Sequence, residues 1–250
     1  MFNRIIRIIK TGICFSIFGN GALSIFFVIF PSIRFLFFWS DKKQNYYTRK
    51  TVQISWQFFV YCMSYLDLIS VKINNFEELR KSEGQIIVAN HPSLIDVVIL
   101  ISCIPQADCI VKNSLSNNFF MRGIIKSIYI INSLDVEEMH NLCKESLKKK
   151  NNLIIFPEGT RTTPGKASKV SRGAAHIALE SGCNILPIHI TCNPLGLLKN
   201  QKWYEVTDKK MEFVLDVKKS ILISDYSKQD CPSSIKARLV TKEIEKILQI

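Results

Sequence analysis

The sequence lacks several patterns that would assign it to familiar classes of protein. Its 250 residues include eight cysteines, but no two of them form a C-x-x-C pair, which argues against a zinc ribbon or a thioredoxin-like site. The ten glycines and eight prolines follow no period and no heptad run persists, so collagen and coiled coils are excluded. No repeat of about 20 to 50 residues is present. We therefore expect a globular chain with free thiols.

Acidic side chains are scarce relative to basic ones. There are 33 Lys and Arg residues against 21 Asp and Glu, which leaves a net charge of +12. Such an excess favours an anionic partner, namely nucleic acid, an anionic membrane surface or an acidic protein. The chain is also apolar, with 47% hydrophobic residues and a mean hydropathy of +0.13. Because that combination is unusual for a nucleic-acid binder, we expect a lipid surface as the partner and no nucleic acid.

One long segment near the N-terminus has no charged side chain at all, residues 11–33. At about 1.5 Å per residue, a helix of this length crosses a hydrocarbon core of about 30 Å. Basic residues flank both ends, so the charge pattern gives no orientation. Gly19-Asn20-Gly21 favours a break and Pro31 an end, which supports an alternative with two helices lying in one leaflet. We expect residues 1–44 to be a membrane anchor and residues 45–250 a second domain.

Short apolar runs alternate with longer mixed segments in the rest of the chain. This alternation predicts an α/β domain with a central mixed sheet flanked by helices, preceded by the membrane-associated helical segment. In such sheets the functional site lies beyond the carboxyl ends of the strands. The predicted strands are Ile86–Ala89, Ala107–Val111, Ser127–Ile131, Leu153–Phe156, Asn184–Ile190 and Met211–Val217, and the predicted helices are 45–67, 93–103, 115–126, 136–149, 172–181 and 234–249.

The first motif, Asn90-His91-Pro92-Ser93-Leu94-Ile95-Asp96, follows a predicted strand. Pro92 suits the first position of a helix, so His91 stands just outside that helix and Asp96 in its early turns reaches back to one ring nitrogen. The carboxylate then fixes the imidazole tautomer, and the other nitrogen is free to remove a proton from a hydroxyl. The alternative is a capping histidine with an aspartate near a helix start. No third ligand stands nearby, so we expect no metal site.

The second motif, Phe156-Pro157-Glu158-Gly159-Thr160-Arg161, also follows an apolar strand and emerges at the same edge of the predicted sheet. Gly159 permits close approach of the backbone, Thr160 offers a hydroxyl, and Arg161 has a planar fork suited to phosphate or carboxylate. Glu158 is suited to hold Arg161 or a hydroxyl group. The alternative is a turn with a solvated run of charges. Further positive charge follows at Lys166, Lys169 and Arg172.

Together the two motifs resemble the first and third motifs of the lysophospholipid acyltransferase family, whose best-known members are the 1-acyl-sn-glycerol-3-phosphate acyltransferases. Downstream, Arg172-Gly173-Ala174 is similar to the family's basic-glycine helix start, and Ile185-Leu186-Pro187-Ile188 to its fourth motif. The resemblance covers about residues 80 to 195.

The resemblance implies a membrane O-acyltransferase of phospholipid biosynthesis. The acyl group would pass from a thioester of coenzyme A or of an acidic acyl-carrier protein to a lipid hydroxyl, with no acyl-enzyme intermediate and no cofactor beyond that co-substrate. His91 would be the general base and Asp96 its orienting partner. Glu158, Gly159, Thr160 and Arg161 would bind the glycerol-phosphate part of the acceptor. We expect the active site at the cytoplasmic face of the membrane.

One departure from the family concerns the acceptor. The second family motif usually ends in an arginine that contacts the acceptor phosphate, whereas the matching stretch here, residues 129–133, has none, and Lys126 is a possible substitute. Lysophosphatidate remains the leading acceptor, and another hydroxyl lipid or a specialised fatty-acyl product is the alternative. A hydrolase with Ser93 as its nucleophile is a further alternative, but the sequence lacks the G-x-S-x-G elbow that such an enzyme uses. A basic membrane-binding module without catalysis leaves both motifs unexplained.

Overall fold

The computed structural model describes residues 2–111, 129–132, 135–162, 165 and 170–250. The predicted helix 115–126 and the side chains of Lys126, Lys166 and Lys169 lie outside these ranges. The helices are α1 (Phe2–Ser24), a π-helical turn (Ile25–Ile29), α2 (Phe30–Leu36), α3 (Asp41–Tyr65), α4 (Phe76–Arg80), α5 (Asp96–Cys103), α6 (Val136–Lys148), α7 (Gly173–Ser181), α8 (Ser224–Ser227) and α9 (Ser233–Leu248). The strands are β1 (Ile69–Asn74), β2 (Ile86–Ala89), β3 (Ala107–Val111), β4 (Tyr129–Ile131), β5 (Asn152–Ile155), β6 (Ile185–Asn193) and β7 (Met211–Val217).

Within the described ranges, these strands form one seven-stranded sheet in the order β1-β7-β6-β2-β5-β3-β4. The five strands from β6 to β4 are mutually parallel, whereas β7 is antiparallel to β6, and β1 runs parallel to β7. The predicted mixed α/β sheet is therefore confirmed. Strand β1 was not predicted from the sequence, because its short ISVKIN run follows α3 directly and carries Lys72 in its middle.

Helices cover both faces of the central strands. On one face, side chains of α3 and α5 such as Trp56 and Leu100 pack with Ile87 of β2. On the other face, α6, α7 and α9 pack against the sheet, and Ile86 belongs to that second cluster. Because successive residues of β2 enter opposite cores, the whole strand reads as a continuous apolar run, as buried parallel strands do. This burial fixes where the strand ends, and so where the first motif begins.

The N-terminal segment is helical from Phe2 to Leu36, so neither the break at Gly19-Asn20-Gly21 nor the end at Pro31 that the alternative allowed is formed. A glycine in a helix interior costs only about 1 kcal/mol, which the remaining apolar contacts offset. Pro31 directly follows the π-helical turn, in which the Phe30 N–H donates to the Ile25 carbonyl, and this change of hydrogen-bond register accommodates a residue without an N–H. Among the described helices, one stretch is long and apolar enough to cross a membrane, Asn3–Leu36, with a mean hydropathy of 2.1 and 17% of its most apolar window buried.

Helix α3 joins the N-terminal segment to the sheet. It begins at Asp41, so residue 44, where the sequence places the domain boundary, lies in its first turn. The Arg49 guanidinium donates to both carboxylate oxygens of the buried Asp108 on β3, at 2.7 and 2.9 Å. Phe18 of α1 stacks on Trp56 of α3 with ring centroids 5.5 Å apart. The helical hairpin of α1 and α3 is thus packed onto the α/β domain.

Candidate functional site

The first motif begins where β2 leaves the sheet between β5 and β6. Asn90 carries a two-way hydrogen bond with Ile190 of β6: its Nδ2 donates to the Ile190 carbonyl at 2.8 Å, and the Ile190 N–H donates to its Oδ1 at 2.7 Å. This side chain extends the strand pairing by one residue beyond Ala89. His91 therefore stands at the carboxyl edge of the sheet, in the middle of the strand order, where sites of α/β proteins usually form.

The structure brings His91 and Asp96 into contact. His91 Nδ1 lies 3.0 Å from Asp96 Oδ2, and the same oxygen accepts the Ser93 N–H at 2.7 Å. Helix α5 starts at Asp96 rather than at residue 93 as the sequence predicts. The reason is local: the carboxylate takes the Ser93 N–H and closes residues 93–96 into a turn. This turn folds Asp96 back under the histidine, and Nε2 is the ring nitrogen left for a ligand.

Asp96 is completely buried, and its environment opposes its charge. Burial raises the pKa of the carboxyl group above its ordinary value, while the hydrogen bonds from His91 and Ser93 act in the opposite direction. Among the described residues, no group hydrogen-bonds to Oδ1, the second carboxylate oxygen. A buried and half-satisfied carboxylate costs folding stability, so packing alone gives no reason for it. Such a group beside a histidine at a cavity is typical of a functional site.

The second motif holds the backbone of His91. Glu158 Oε1 accepts the His91 N–H at 3.0 Å and the Thr162 hydroxyl at 2.9 Å, and the Thr162 N–H donates to the His91 carbonyl at 2.7 Å. The Phe156 ring stacks on the imidazole at a centroid distance of 4.2 Å. The two motifs are therefore cross-linked at the backbone and at the ring of His91. Glu158, a predicted acceptor-binding residue, uses this oxygen within the protein.

Arg161 contacts the connection between β6 and β7, residues 194–210, which we call the β6–β7 connection. Its Nη1 donates to the carbonyls of Leu197 and Leu198 at 2.8 and 2.9 Å. Partial burial lowers the pKa of the guanidinium, and the nearby Asp96 opposes that effect. Its Nε and Nη2 groups make no hydrogen bond with the described residues. The fork is thus anchored by one nitrogen.

Four of the six predicted site residues line one cavity of about 730 Å³, namely His91, Gly159, Thr160 and Arg161. Asp96 lies behind His91, and Glu158 contacts its backbone. Gly159 has a φ of +63°, in the left-handed region that favours glycine, and a Cβ atom there would meet nothing within 4 Å. The cavity has the size of a typical ligand site. Its wall is mostly apolar and includes Phe18, Trp56, Phe59, Met63, Val98 and Met211.

Two parts of the cavity were not predicted from the sequence. Arg7, Thr11 and Phe15 of α1 line it, and so does the β6–β7 connection through Gly196 and Trp203. These contacts join segments about 190 residues apart, and neither segment carries a motif. The apolar face of α1 was the only available signal, and it indicated a membrane rather than a cavity.

The structure also shows where Ser93 and Arg172 lie and whether the described side chains form a metal site. The Ser93 hydroxyl is fully buried and donates to the Gly196 carbonyl at 2.8 Å, which removes it as a nucleophile. Arg172 is exposed at the start of α7, between two residues that line the cavity. In the part of the chain that the structure describes, no group of three or more His, Cys, Asp or Glu side chains is placed to hold a metal ion.

Comparisons with known proteins show which proteins the chain resembles. A family model described as Acyltransferase matches residues 70–191. The chain is 27% identical over 125 residues to a 1-acyl-sn-glycerol-3-phosphate acyltransferase of Cocos nucifera, which is 46% of this chain and 40% of that protein. It is 25% identical over 182 residues to the enzyme of the same name from Borreliella burgdorferi, which is 70% of this chain and 72% of that protein. The chain thus spans less than half the length of the first of these relatives.

A solved structure extends the similarity to the whole fold. The crystal structure of the 1-acyl-sn-glycerophosphate acyltransferase PlsC from Thermotoga maritima superposes with a TM-score of 0.66 at 20% identity. The match covers 96% of this chain and 97% of that one. At this level of identity the comparison establishes the fold, including the N-terminal helical segment.

We predict that Asp96→Asn stabilises the protein at neutral pH. A carboxyl group whose pKa is raised on folding lowers stability at any pH above its folded pKa, because the folded state must hold a buried charge. The amide carries no charge, so the melting temperature should rise at about pH 7.5. The gain should shrink as the pH falls through the folded pKa, and it should vanish below the ordinary value of 3.8.

The measurement is thermal unfolding at several pH values, with the exposed Asp208→Asn as the control that removes one charge elsewhere. A lower melting temperature for Asp96→Asn at about pH 7.5 would show that the hydrogen bonds from His91 and Ser93 outweigh the cost of burial.

Proposed function

We propose that the protein is a membrane-associated O-acyltransferase, because residues 70–191 match the model of the Acyltransferase family. Its donor is a fatty acyl thioester of coenzyme A or acyl-carrier protein, and its acceptor is the hydroxyl of a lysophospholipid. The leading acceptor is 1-acyl-sn-glycerol-3-phosphate, which gives phosphatidate. The observation that carries the proposal is the contact of His91 Nδ1 with the buried Asp96 carboxylate at the wall of an apolar cavity.

The proposed reaction is a direct transfer. The His91 Nε2 atom removes the proton from the acceptor hydroxyl while the hydroxyl oxygen bonds to the thioester carbonyl carbon. Asp96 holds the ring tautomer and stabilises the imidazolium that forms. The tetrahedral intermediate then collapses, the C–S bond breaks, and the leaving thiolate receives the proton from His91. The acyl group never bonds to the protein, which agrees with the engagement of the Ser93 hydroxyl by Gly196.

The cavity is lined by many apolar side chains and several cationic ones, which suits an acyl lipid with an anionic head. Aromatic and aliphatic side chains of α1, α3 and α5 supply the apolar wall, and burial of an acyl chain there gains about 0.8 kcal/mol per CH₂ group. Arg161 and Lys199 line the same cavity and supply positive charge. We place the acyl chain along the apolar wall and the phosphate of the acceptor at Nε and Nη2 of Arg161, to which none of the described residues is hydrogen-bonded.

The N-terminal hairpin gives the site access to lipid. Large apolar side chains of α1, α2 and the following turn are exposed, and Phe35, Phe38 and Trp39 are 79%, 74% and 64% exposed. Aromatic rings of this kind settle at membrane interfaces. Because α1 also packs against the β6–β7 connection of the α/β domain, through Arg7 and Phe15, the contacts favour a hairpin that lies in one leaflet. The net charge of +12 suits both anionic lipid and an acidic donor, with the site on the cytoplasmic face.

A different hydroxyl lipid is the second candidate for the acceptor. Residues 129–133 lack the arginine that the family uses for the acceptor phosphate. The Nη1 group of Arg161 already donates hydrogen bonds to the carbonyls of Leu197 and Leu198. A phosphate therefore finds fewer cationic donors among the described residues than the family pattern offers.

We predict that His91→Ala lowers the rate of transfer by about 100-fold to 10,000-fold, the contribution of a positioned general base. The protein should remain folded, because His91 stands in a loop and its backbone hydrogen bonds do not require the ring. The measurement is transfer of a labelled acyl group from a thioester to lysophosphatidate in detergent micelles. The matched control is His140→Ala, a histidine that contacts Glu180 and is not one of the residues that line the cavity. Retained turnover in His91→Ala would exclude it as the base.

We predict that Arg161→Ala discriminates between acceptors with and without phosphate. The KM for lysophosphatidate should rise about tenfold or more, since a charge-assisted contact to the phosphate is lost. The KM for a monoacylglycerol should change less, and that smaller change reports the loss of the contacts with Leu197 and Leu198. Steady-state kinetics with both acceptors and one thioester donor measures the difference. Equal changes for the two acceptors would place the phosphate elsewhere.

A further inference from the structure

Arg7, near the start of α1, holds three backbone carbonyls. Its Nε donates to the Thr207 carbonyl at 2.8 Å, its Nη2 to that of Lys209 at 2.9 Å, and its Nη1 to that of Asp67 at 3.3 Å. Two of these carbonyls belong to the β6–β7 connection, and the third follows α3. Three of the five guanidinium N–H groups, one on each nitrogen, are thus used within the protein. The arrangement is that of a structural clamp.

The β6–β7 connection is also held at its other end, beside the catalytic motifs. The Ser93 hydroxyl donates to the Gly196 carbonyl, and Arg161 Nη1 donates to the carbonyls of Leu197 and Leu198. One end of the connection is therefore fixed to the two motifs, and the other end is fixed to α1.

Hydrogen bonds within the connection join the two ends. Gln201 Oε1 accepts the Leu198 N–H at 2.7 Å, and its Nε2 donates to the Glu205 carbonyl at 2.6 Å. The Lys202 N–H donates to the Glu205 carboxylate at 3.1 Å. A side-chain amide thus bridges the segment from the Arg161 end to within two residues of Thr207, which Arg7 holds.

Helix α1 packs against the middle of the same connection. A Cβ atom at Gly12 would lie 3.6 Å from the Trp203 ring, and the ring of Phe15 lies 6.1 Å from that ring between centroids. Phe15, Trp203 and Arg7 all line the cavity. Replacement of Gly12 by a large side chain would push the Trp203 ring away from α1.

We propose that Arg7 is a positioning residue for substrate binding, and that α1 completes the substrate cavity in addition to attaching the protein to lipid. By fixing the β6–β7 connection, Arg7 keeps the carbonyl partners of Arg161 in place and presets the orientation of its fork. A preset site binds its ligand without the entropy cost of ordering the loop. The assignment of the ligand as an acyl acceptor rests on the proposed function, whereas the coupling of α1 to the connection does not.

The first test compares Arg7→Ala with Arg4→Ala. Arg4 lies one turn earlier on α1 and is exposed, so each variant removes one positive charge from the same helix. Arg7→Ala should raise the KM for lysophosphatidate about tenfold with a smaller change in kcat, and Arg4→Ala should leave both unchanged. Sedimentation with anionic vesicles should be equal for the two variants. Equal KM values for the two variants would overturn the proposal, as would a KM change that only follows a loss of vesicle binding.

The second test changes no charge. Gly12→Leu should displace Trp203 and raise the same KM, whereas Gly21→Leu should not, because nothing lies within 4 Å of a Cβ atom there. Both variants place leucine in the interior of α1, so their helix propensities match. An unchanged KM in Gly12→Leu would contradict a role of α1 in the site. If Arg7→Ala fails to fold, this pair carries the test.

Hydrogen exchange separates this proposal from the proposed reaction. In Arg7→Ala and Gly12→Leu, amides of the β6–β7 connection should exchange at least about tenfold faster, while amides of β2 stay protected. If the wild-type protein acylates no lysophosphatidate, the proposed acceptor is refuted. If the variants nevertheless show this exchange pattern, the coupling of α1 to the β6–β7 connection stands. Unchanged exchange in both variants would refute the coupling, whatever the activity.

Discussion

The site depends on one cross-link, in which the second motif and the adjacent Thr162 hold the peptide groups of His91 on both sides. The Glu158 carboxylate accepts its N–H, and the Thr162 N–H donates to its carbonyl. Because these bonds fix the backbone, the imidazole has little freedom except rotation about its own side-chain bonds. Asp96 at Nδ1 and the Phe156 ring remove that freedom. A general base must lie within hydrogen-bond reach of its proton, so this rigidity is what the proposed transfer needs.

The same arrangement explains why two motifs some 60 residues apart in the sequence form one unit. Strands β2 and β5 are paired in parallel, with Ile86 beside Leu153, so both strands end at the same edge of the sheet. The loops that follow β2 and β5, which carry the two motifs, are therefore in direct contact. The cost falls on Asp96, which is buried with one oxygen unpaired among the described residues. Active sites commonly hold such costly groups, and the two apolar cores on either side of the sheet offset the cost.

Much of this architecture was predictable from the sequence, and the reasons are physical. Strands β2, β3 and β7 were predicted with their observed bounds because their apolar runs stop where burial stops. The contact of His91 with Asp96 followed from a histidine just outside a helix with a carboxylate in its first turns. The roles of these residues, and those of Gly159, Thr160 and Arg161 as acceptor ligands, stay predictions. Local patterns did not show that the Glu158 oxygen would be used by His91 and Thr162. They also did not show that α1 would reach the cavity, because both depend on tertiary contacts.

The central claim is a direct transfer at His91 with no acyl group on the protein. It is tested most directly by intact-protein mass spectrometry after incubation with a long-chain acyl thioester, first without an acceptor and then with lysophosphatidate. The account predicts an unmodified protein mass in both samples and labelled phosphatidate only in the second. A covalent acyl adduct that forms without the acceptor and disappears when the acceptor is added would contradict it.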